Sequence, residues 1–144
     1  MTAKAFIDTN IYIYALTESQ DASEKYKRII ALSVFKTLLQ SQSIVTSTQV
    51  LNEFHSNLLK KFKLDDATVF KMVELNILPI STIAPLSFQT YQLAFNLRSK
   101  YSLSFWDSLI VASALENNCT TLYSEDMQHQ QVIDNQLTII NPFK

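Results

Sequence analysis

The sequence predicts an α/β fold, a three-layer α/β/α domain built around a mostly parallel central sheet of about five strands. Three observations predict it. Short apolar runs (KAFI, SIVTS, ILPIS, TTLYS and LTIIN) have the length and β-branched content of strands buried on both faces. Longer segments with apolar residues at helical spacing alternate with them, the order that builds a parallel sheet covered by helices. A chain of 144 residues, 47% hydrophobic, is large enough for one well-formed core and too apolar for disorder. Positions 1–144 are therefore read as one domain.

The elements follow in order. The first strand is expected at Lys4 to Ile7, with a short helix from about Asn10 to Leu16. Between Ala22 and Leu39, apolar residues such as Tyr26, Ile29, Ile30 and Phe35 recur at helical spacing and predict an amphipathic helix. SIVTS is a second strand leading into a helix from about Thr48 to Phe62, and LDDATVFKMVELN a further helix that starts near Asp65. ILPIS is expected as a third strand, at an edge because Pro79 cannot donate to a ladder. Helices are expected over Ser87 to Lys100 and Phe105 to Asn117, then a fourth strand at TTLYS and a fifth at LTIIN. The chain has no glycine. Left-handed turn positions must fall to other residues, and Asn76, Asn117, Asn118 and Asn135 stand where helix ends or turns are expected.

Composition excludes several functions. Without glycine there is no glycine-rich phosphate loop. Thirteen acidic and twelve basic residues leave a net charge of −1, so any nucleic acid must be met by a local patch. The lone cysteine, Cys119, rules out an internal disulfide framework and reads as a small buried hydrophobe in a reducing compartment. Lys4 and Asp8 break any signal-peptide pattern, and SLIVASAL is far short of the roughly 20 residues of a membrane span. A cytoplasmic protein with no membrane partner is expected.

The stretch FIDTNIYIY holds the most informative residue. Asp8 is flanked by apolar sequence, and an unpaired charge taken out of water is expensive. It follows the first strand directly, at the carboxyl edge where parallel sheets collect ligands. Helices that follow strands begin at the same edge. Glu53 lies in the second turn of the helix after strand two, Asp107 near the start of FWDSLIVASAL, and Glu125 and Asp126 just after strand four. Taken singly, each has a structural explanation: Ser104 and Asp107 form S-x-x-D, a capping-box pattern, Asp126 can order a turn, and Glu53 can be a solvated helix residue. Together, by topology rather than by any single spacing, the acids of four segments are expected to converge on one rim. Clustered carboxylates repel unless a proton or cation intervenes, and an oxygen-only donor set suits Mg²⁺ or Mn²⁺. Zinc spacing is absent around Cys119, His55 and His129, and no framed serine nucleophile or cysteine–histidine pairing is visible.

These residues resemble the PIN domain, in particular the VapC-like ribonuclease toxins of toxin–antitoxin pairs. FIDTN matches the opening strand and its D-T/S-N motif, Glu53 in STQVLNEF the acid after strand two, Asp107 in YSLSFWDSLIVASAL the third acid, and Asp126 in LYSEDM the fourth. The similarity runs from Ala5 to about Phe143. It implies a metal-dependent endoribonuclease that is dimeric and held inactive by a cognate antitoxin protein. By the same resemblance, Asp8 and Asp107 would be the principal ligands of Mg²⁺ or Mn²⁺, with Asp126 and Glu53 completing the acidic site. Thr9 and Asn10 would support the loop around Asp8, and Glu125 stands as a substitute for Asp126. Where relatives often carry glycine, this chain has Asn117-Asn118 and Gln130-Gln131.

An RNA substrate also needs cations for its phosphates. Arg98 and Lys100, preceding the Asp107 helix, are the first candidates, although Lys60, Lys61 and Lys63 form the densest basic group. Tyr12, Tyr14, Phe105 and Trp106 are candidates to stack on bases, but Phe105 and Trp106 are expected in the core. A receiver-type phosphoacceptor domain would need an acid after ILPIST, and a D-x-D phosphatase a second aspartate where Asn10 stands; neither is present. The remaining alternative is a PIN fold kept as an RNA- or protein-binding module with a weak metal site.

Overall fold

The computed structural model describes residues 2–144. Strand β1 (Lys4–Ile7) is followed by helices α1 (Thr9–Leu16) and α2 (Ala22–Ser41), then β2 (Ser43–Ser47), α3 (Thr48–Lys61) and α4 (Asp66–Met72). A π-helical turn (Val73–Ile77) extends α4 before β3 (Ser81–Ala84). Helices α5 (Phe88–Tyr101) and α6 (Phe105–Glu116) precede β4 (Thr121–Tyr123), β5 (Val132–Ile133) and β6 (Leu137–Ile140). The α/β fold and its mostly parallel sheet are as expected, but the sheet has six strands in the order β3-β2-β1-β4-β6-β5. All neighbours are parallel except β5 and β6.

The strand order reverses between β1 and β4. Right-handed crossovers therefore place α1–α4 on one face and α5 and α6 on the other. β1 is the middle of this arrangement, and Ala5, Phe6 and Ile7 are fully inaccessible to solvent. Ile11 and Tyr12 of α1 and Val50 and Phe54 of α3 share the same buried core, and Leu122 of β4 lies beside Phe6 in the sheet. No helix among the described residues is long and apolar enough to cross a membrane.

Two strand expectations need correction. In ILPIS, Ile77 is buried at the end of the π-helical turn and Leu78–Ile80 form a turn, so the third strand begins only at Ser81. Proline at 79 explains the shift, since it cannot supply a ladder hydrogen bond. β5 is two residues long, too short for periodicity to register. It pairs with β6 across a turn at Asp134 and Asn135, both left-handed (φ 51° and 54°), as a tight hairpin requires.

The glycine-free turns fall partly where expected. Asn118 (φ 60°) and Asn135 are left-handed, whereas Asn117 (φ −95°) caps α6 and Asn76 stays within the π-helical turn. Lys63, Ser102, Gln130 and Asp134 take the other left-handed positions. Asn118 and Gln130 fall in the two dipeptides where the resemblance led one to look for glycine. Cys119 is buried, and burial pushes its thiol up to about 12, so it behaves as a hydrophobe.

Candidate active site

The site forms at the crevice between β1 and β4, where the strand order reverses and open parallel sheets bind ligands. The Asp8 backbone N–H donates to the Tyr123 carbonyl (3.0 Å), which ties the end of β1 to the end of β4. Asp8 is also the N-cap of α1, and its Oδ1 accepts from the Thr9 N–H (2.7 Å). Its other oxygen accepts from the Ser124 hydroxyl (2.9 Å). These two bonds are the local compensation for Asp8. They are incomplete: burial, reinforced by repulsion from Glu53 and Asp107, raises its carboxyl from 3.8 to about 6.

Glu53 projects from α3 and is held from two sides. Its Oε2 accepts from the Thr9 hydroxyl (3.0 Å) and its Oε1 from Gln49 Nε2 (2.8 Å). Gln49 also donates to the Trp106 carbonyl (3.3 Å), joining α3 to the start of α6. Helical geometry puts residues four apart on one stripe, and Gln49, Glu53, Asn57 and Lys61 line the same cleft in that register.

Asp107 enters from the first turn of α6. Ser104 caps that helix, its hydroxyl accepting from the Asp107 N–H (3.1 Å), so the serine half of the capping pattern is real. The Asp107 carboxylate nevertheless faces the cleft. Burial raises its pKa, the Ser104 hydroxyl opposes this, and the charges of Asp126 and Glu53 raise it further. Capping and site membership coexist.

The two adjacent acids after β4 have opposite surroundings. Glu125 pairs with Lys27 of α2 (2.5 Å) and accepts from the Tyr14 hydroxyl (2.8 Å), while Asn141 holds its backbone carbonyl (2.9 Å). The Lys27 ammonium lies over the rings of Tyr14 and Phe143 (5.2 and 5.7 Å to the centroids). Asp126 is exposed, and its Oδ2 accepts from Asn10 Nδ2 (3.3 Å). The same Asn10 nitrogen stands 3.5 Å from Glu125. Asp126 lines the cleft and Glu125 is turned away into its own ion pair.

Asp8, Glu53, Asp107 and Asp126 thus surround one cavity of about 270 Å³, together with Thr9, Asn10 and Lys61. Among the described residues, no three His, Cys, Asp or Glu side chains are gathered closely enough to form a ready-made metal cage. The acids ring the space, and Asp8 and Asp107 feel the charge of their neighbours. Arg98 and Lys100 are not among the residues lining it: Arg98 Nε donates to the Leu103 carbonyl (3.3 Å) and Lys100 pairs with Asp134 (2.9 Å). Lys61, from the densest basic group, reaches the cleft instead. Trp106 is the clear departure from expectation. It is 65% exposed, because the first turn of α6 projects past the sheet before the helix enters the core at Ser108. Phe105 is half-buried against the core.

A family model for the PIN domain matches residues 5–134. This chain belongs to the PIN domain family. Comparison with curated protein sequences gave no significant match. Solved structures share the fold at low identity. A toxin–antitoxin complex from Klebsiella pneumoniae is 19% identical, with a TM-score of 0.68, covering 96% of this chain and 97% of that one. VapBC2 from Rickettsia felis, bound to a DNA fragment from its promoter, is also 19% identical, with a TM-score of 0.69 and coverage of 96% and 99%. VapC20 from Mycobacterium tuberculosis, a sarcin–ricin loop cleaving toxin, is 15% identical, with a TM-score of 0.61 over 82% of this chain and 86% of that one. Gln49, Asn57 and Ser124 are the residues around the site that motif reading missed. Only Gln49 carried a signal, its place four residues before Glu53.

Proposed function

We propose that this PIN domain is an endoribonuclease dependent on Mg²⁺ or Mn²⁺, and the toxin of a toxin–antitoxin pair. One observation carries the reading: four carboxylates from four separated segments border a single cleft, and the charges of their neighbours there oppose the ionisation of Asp8 and Asp107. Evolution of a fold tolerates such repulsion where a cation relieves it. The donors are all hard oxygens, with no thiol or imidazole lining the cavity, which fits a small divalent ion that keeps part of its water shell. Asp8, Glu53, Asp107 and Asp126 would hold it. Bound there, the ion would acidify a water and stabilise charge on the phosphate.

The chain's own contributions are positional. Ser124 and the Thr9 N–H orient Asp8, the Thr9 hydroxyl and Gln49 fix Glu53, and Asn10 steers Asp126. Lys61 places an ammonium beside the acids, where it would meet a phosphate of the RNA. The structural neighbours include toxins, one of them an RNA-cleaving toxin, and toxin–antitoxin assemblies; a cognate antitoxin and a homodimer are proposed here by that analogy.

A second reading, a binding module with a weak metal site, is favoured by the open spacing of the acids. A titration of Mg²⁺ and Mn²⁺ against a fluorogenic single-stranded RNA separates the two. Metal-dependent cleavage that disappears in Asp107→Asn supports the nuclease. Metal binding without cleavage of several RNAs supports the module.

A further inference from the structure

Beside the acidic cleft lies a second and larger cavity, of about 460 Å³, in the size range of small-molecule sites. Its chemistry is different. Leu86, Leu109 and the indole of Trp106 give it apolar walls, and Gln49, Asn52 and Asn57 place carboxamides around it. Gln49, Glu53, Asn57 and Trp106 line both cavities, so the two adjoin along α3 and the start of α6.

Trp106 is hard to explain as structure alone. It is the only tryptophan in the chain, it is 65% exposed, and Phe105 braces it in a T-shaped contact (centroids 5.3 Å apart, 74° between planes). Its backbone carbonyl is fixed by Gln49, which also holds Glu53. The backbone that carries the indole is thereby tied to the helix that carries Glu53. A flat aromatic wall next to carboxamides that both donate and accept is the chemistry that accommodates a nucleobase: stacking on one side, edge hydrogen bonds on the other.

We propose that the cavity between α3 and the start of α6 is a nucleobase subsite, in which a base next to the phosphate in the acidic cleft stacks on Trp106 while Asn52 and Asn57 meet its polar edge. This subsite rests on the RNA-cleaving reading of the acidic cleft and adds a specificity determinant to it. Asn52 is exposed and Asn57 half-buried, so both can turn toward a ligand. Because α3 carries Glu53 and Asn57 on one stripe and Asn52 beside it, base choice and the position of the phosphate are set by one helix.

The single tryptophan makes the test direct. Two fluorescein-free RNA dodecamers, one of uniform sequence and one abasic with the same phosphates, are titrated in Ca²⁺ while intrinsic fluorescence is followed; a gel checks that the RNA stays intact. Base-bearing RNA is expected to quench Trp106 and the abasic strand to leave it unchanged. In anisotropy measurements with labelled strands, Trp106→Ala should bind base-bearing RNA about tenfold more weakly, with Trp106→Phe intermediate, and bind the abasic strand as the parent does. Asn52→Ala should alter the ranking among the four uniform dodecamers. Equal quenching by both strands, or unchanged affinity in Trp106→Ala, overturns the subsite and leaves the RNA reading standing. Failure of the parent to bind either strand overturns both. A Trp106→Ala protein that changes its sedimentation while keeping its RNA affinity would make the indole a contact between copies of this chain, and also overturns the subsite.

Discussion

Asp8 and Asp126 border the same cleft from opposite kinds of structure. Asp8 ends the central strand, with its backbone bonded to β4 and its carboxylate bonded to Thr9 and Ser124. Asp126 sits exposed in the loop after β4, with one amide contact from Asn10. The first is rigid and bears the cost of desolvation, which shows as its raised pKa. The second is solvated and adjustable. Under the proposed metal-dependent reading, Asp8 would be an anchored ligand and Asp126 one that adapts to a cation and its waters, as would suit an ion with strict geometry.

The largest expected effect comes from removing the anchored charge. Asp8→Asn should lower metal-dependent RNA cleavage by at least about 10²–10³-fold, the scale of losing one preorganised electrostatic group, with circular dichroism unchanged. Asp126→Asn should lose less; an equal loss would erase the distinction between the two acids.

The same substitution has an opposite effect on stability. A carboxyl near 6 in the folded chain and 3.8 unfolded binds its proton more tightly when folded. Its stabilising contribution is complete below a pH of about 4 and is lost as the pH rises through about 6. In EDTA at pH 8, Asp8→Asn should therefore be more stable than the parent by up to about 3 kcal/mol, and no more stable near pH 4. Urea denaturation at the two pH values measures this, and adding Mn²⁺ to the parent should recover part of the difference.

Lys27→Met tests the loop end. It frees the Glu125 carboxylate beside Asp126 and should cost about 1–2 kcal/mol, between exposed and buried ion pairs. Metal affinity, read by calorimetry, should fall severalfold, whereas in Glu125→Gln it should hold. The smallest effect is expected from Gln130→Gly. Residue 130 is left-handed (φ 69°), and glycine there should raise stability by about 0.5–1 kcal/mol, seen as a higher Tm without change in cleavage.

Much of this comparison was legible in the residues themselves. The apolar flanks of Asp8 announced a sheltered carboxylate, and the alternation of strands and helices placed Glu53, Asp107 and Asp126 at its edge of the sheet. Local chemistry alone left Glu125 and Asp126 undecided, because the choice depends on Lys27, a partner 98 residues away. ILPIS misled because its apolar residues serve a helix end as well as they would a strand. Trp106 misled for a related reason: hydrophobicity indicates what prefers to be covered, and the first turn of α6 stands clear of the sheet.

The pairing of β1 with β4 sets an order of assembly. Asp8 and Ser124, which hold each other, are 116 residues apart, and β1 has no partner on that side until β4 is made. In synthesis Asp8 therefore precedes Ser124 and Asp126 by more than one hundred residues. Until β4 pairs with β1, the crevice that Asp8 borders lacks its second wall, so the four acids cannot share one cleft.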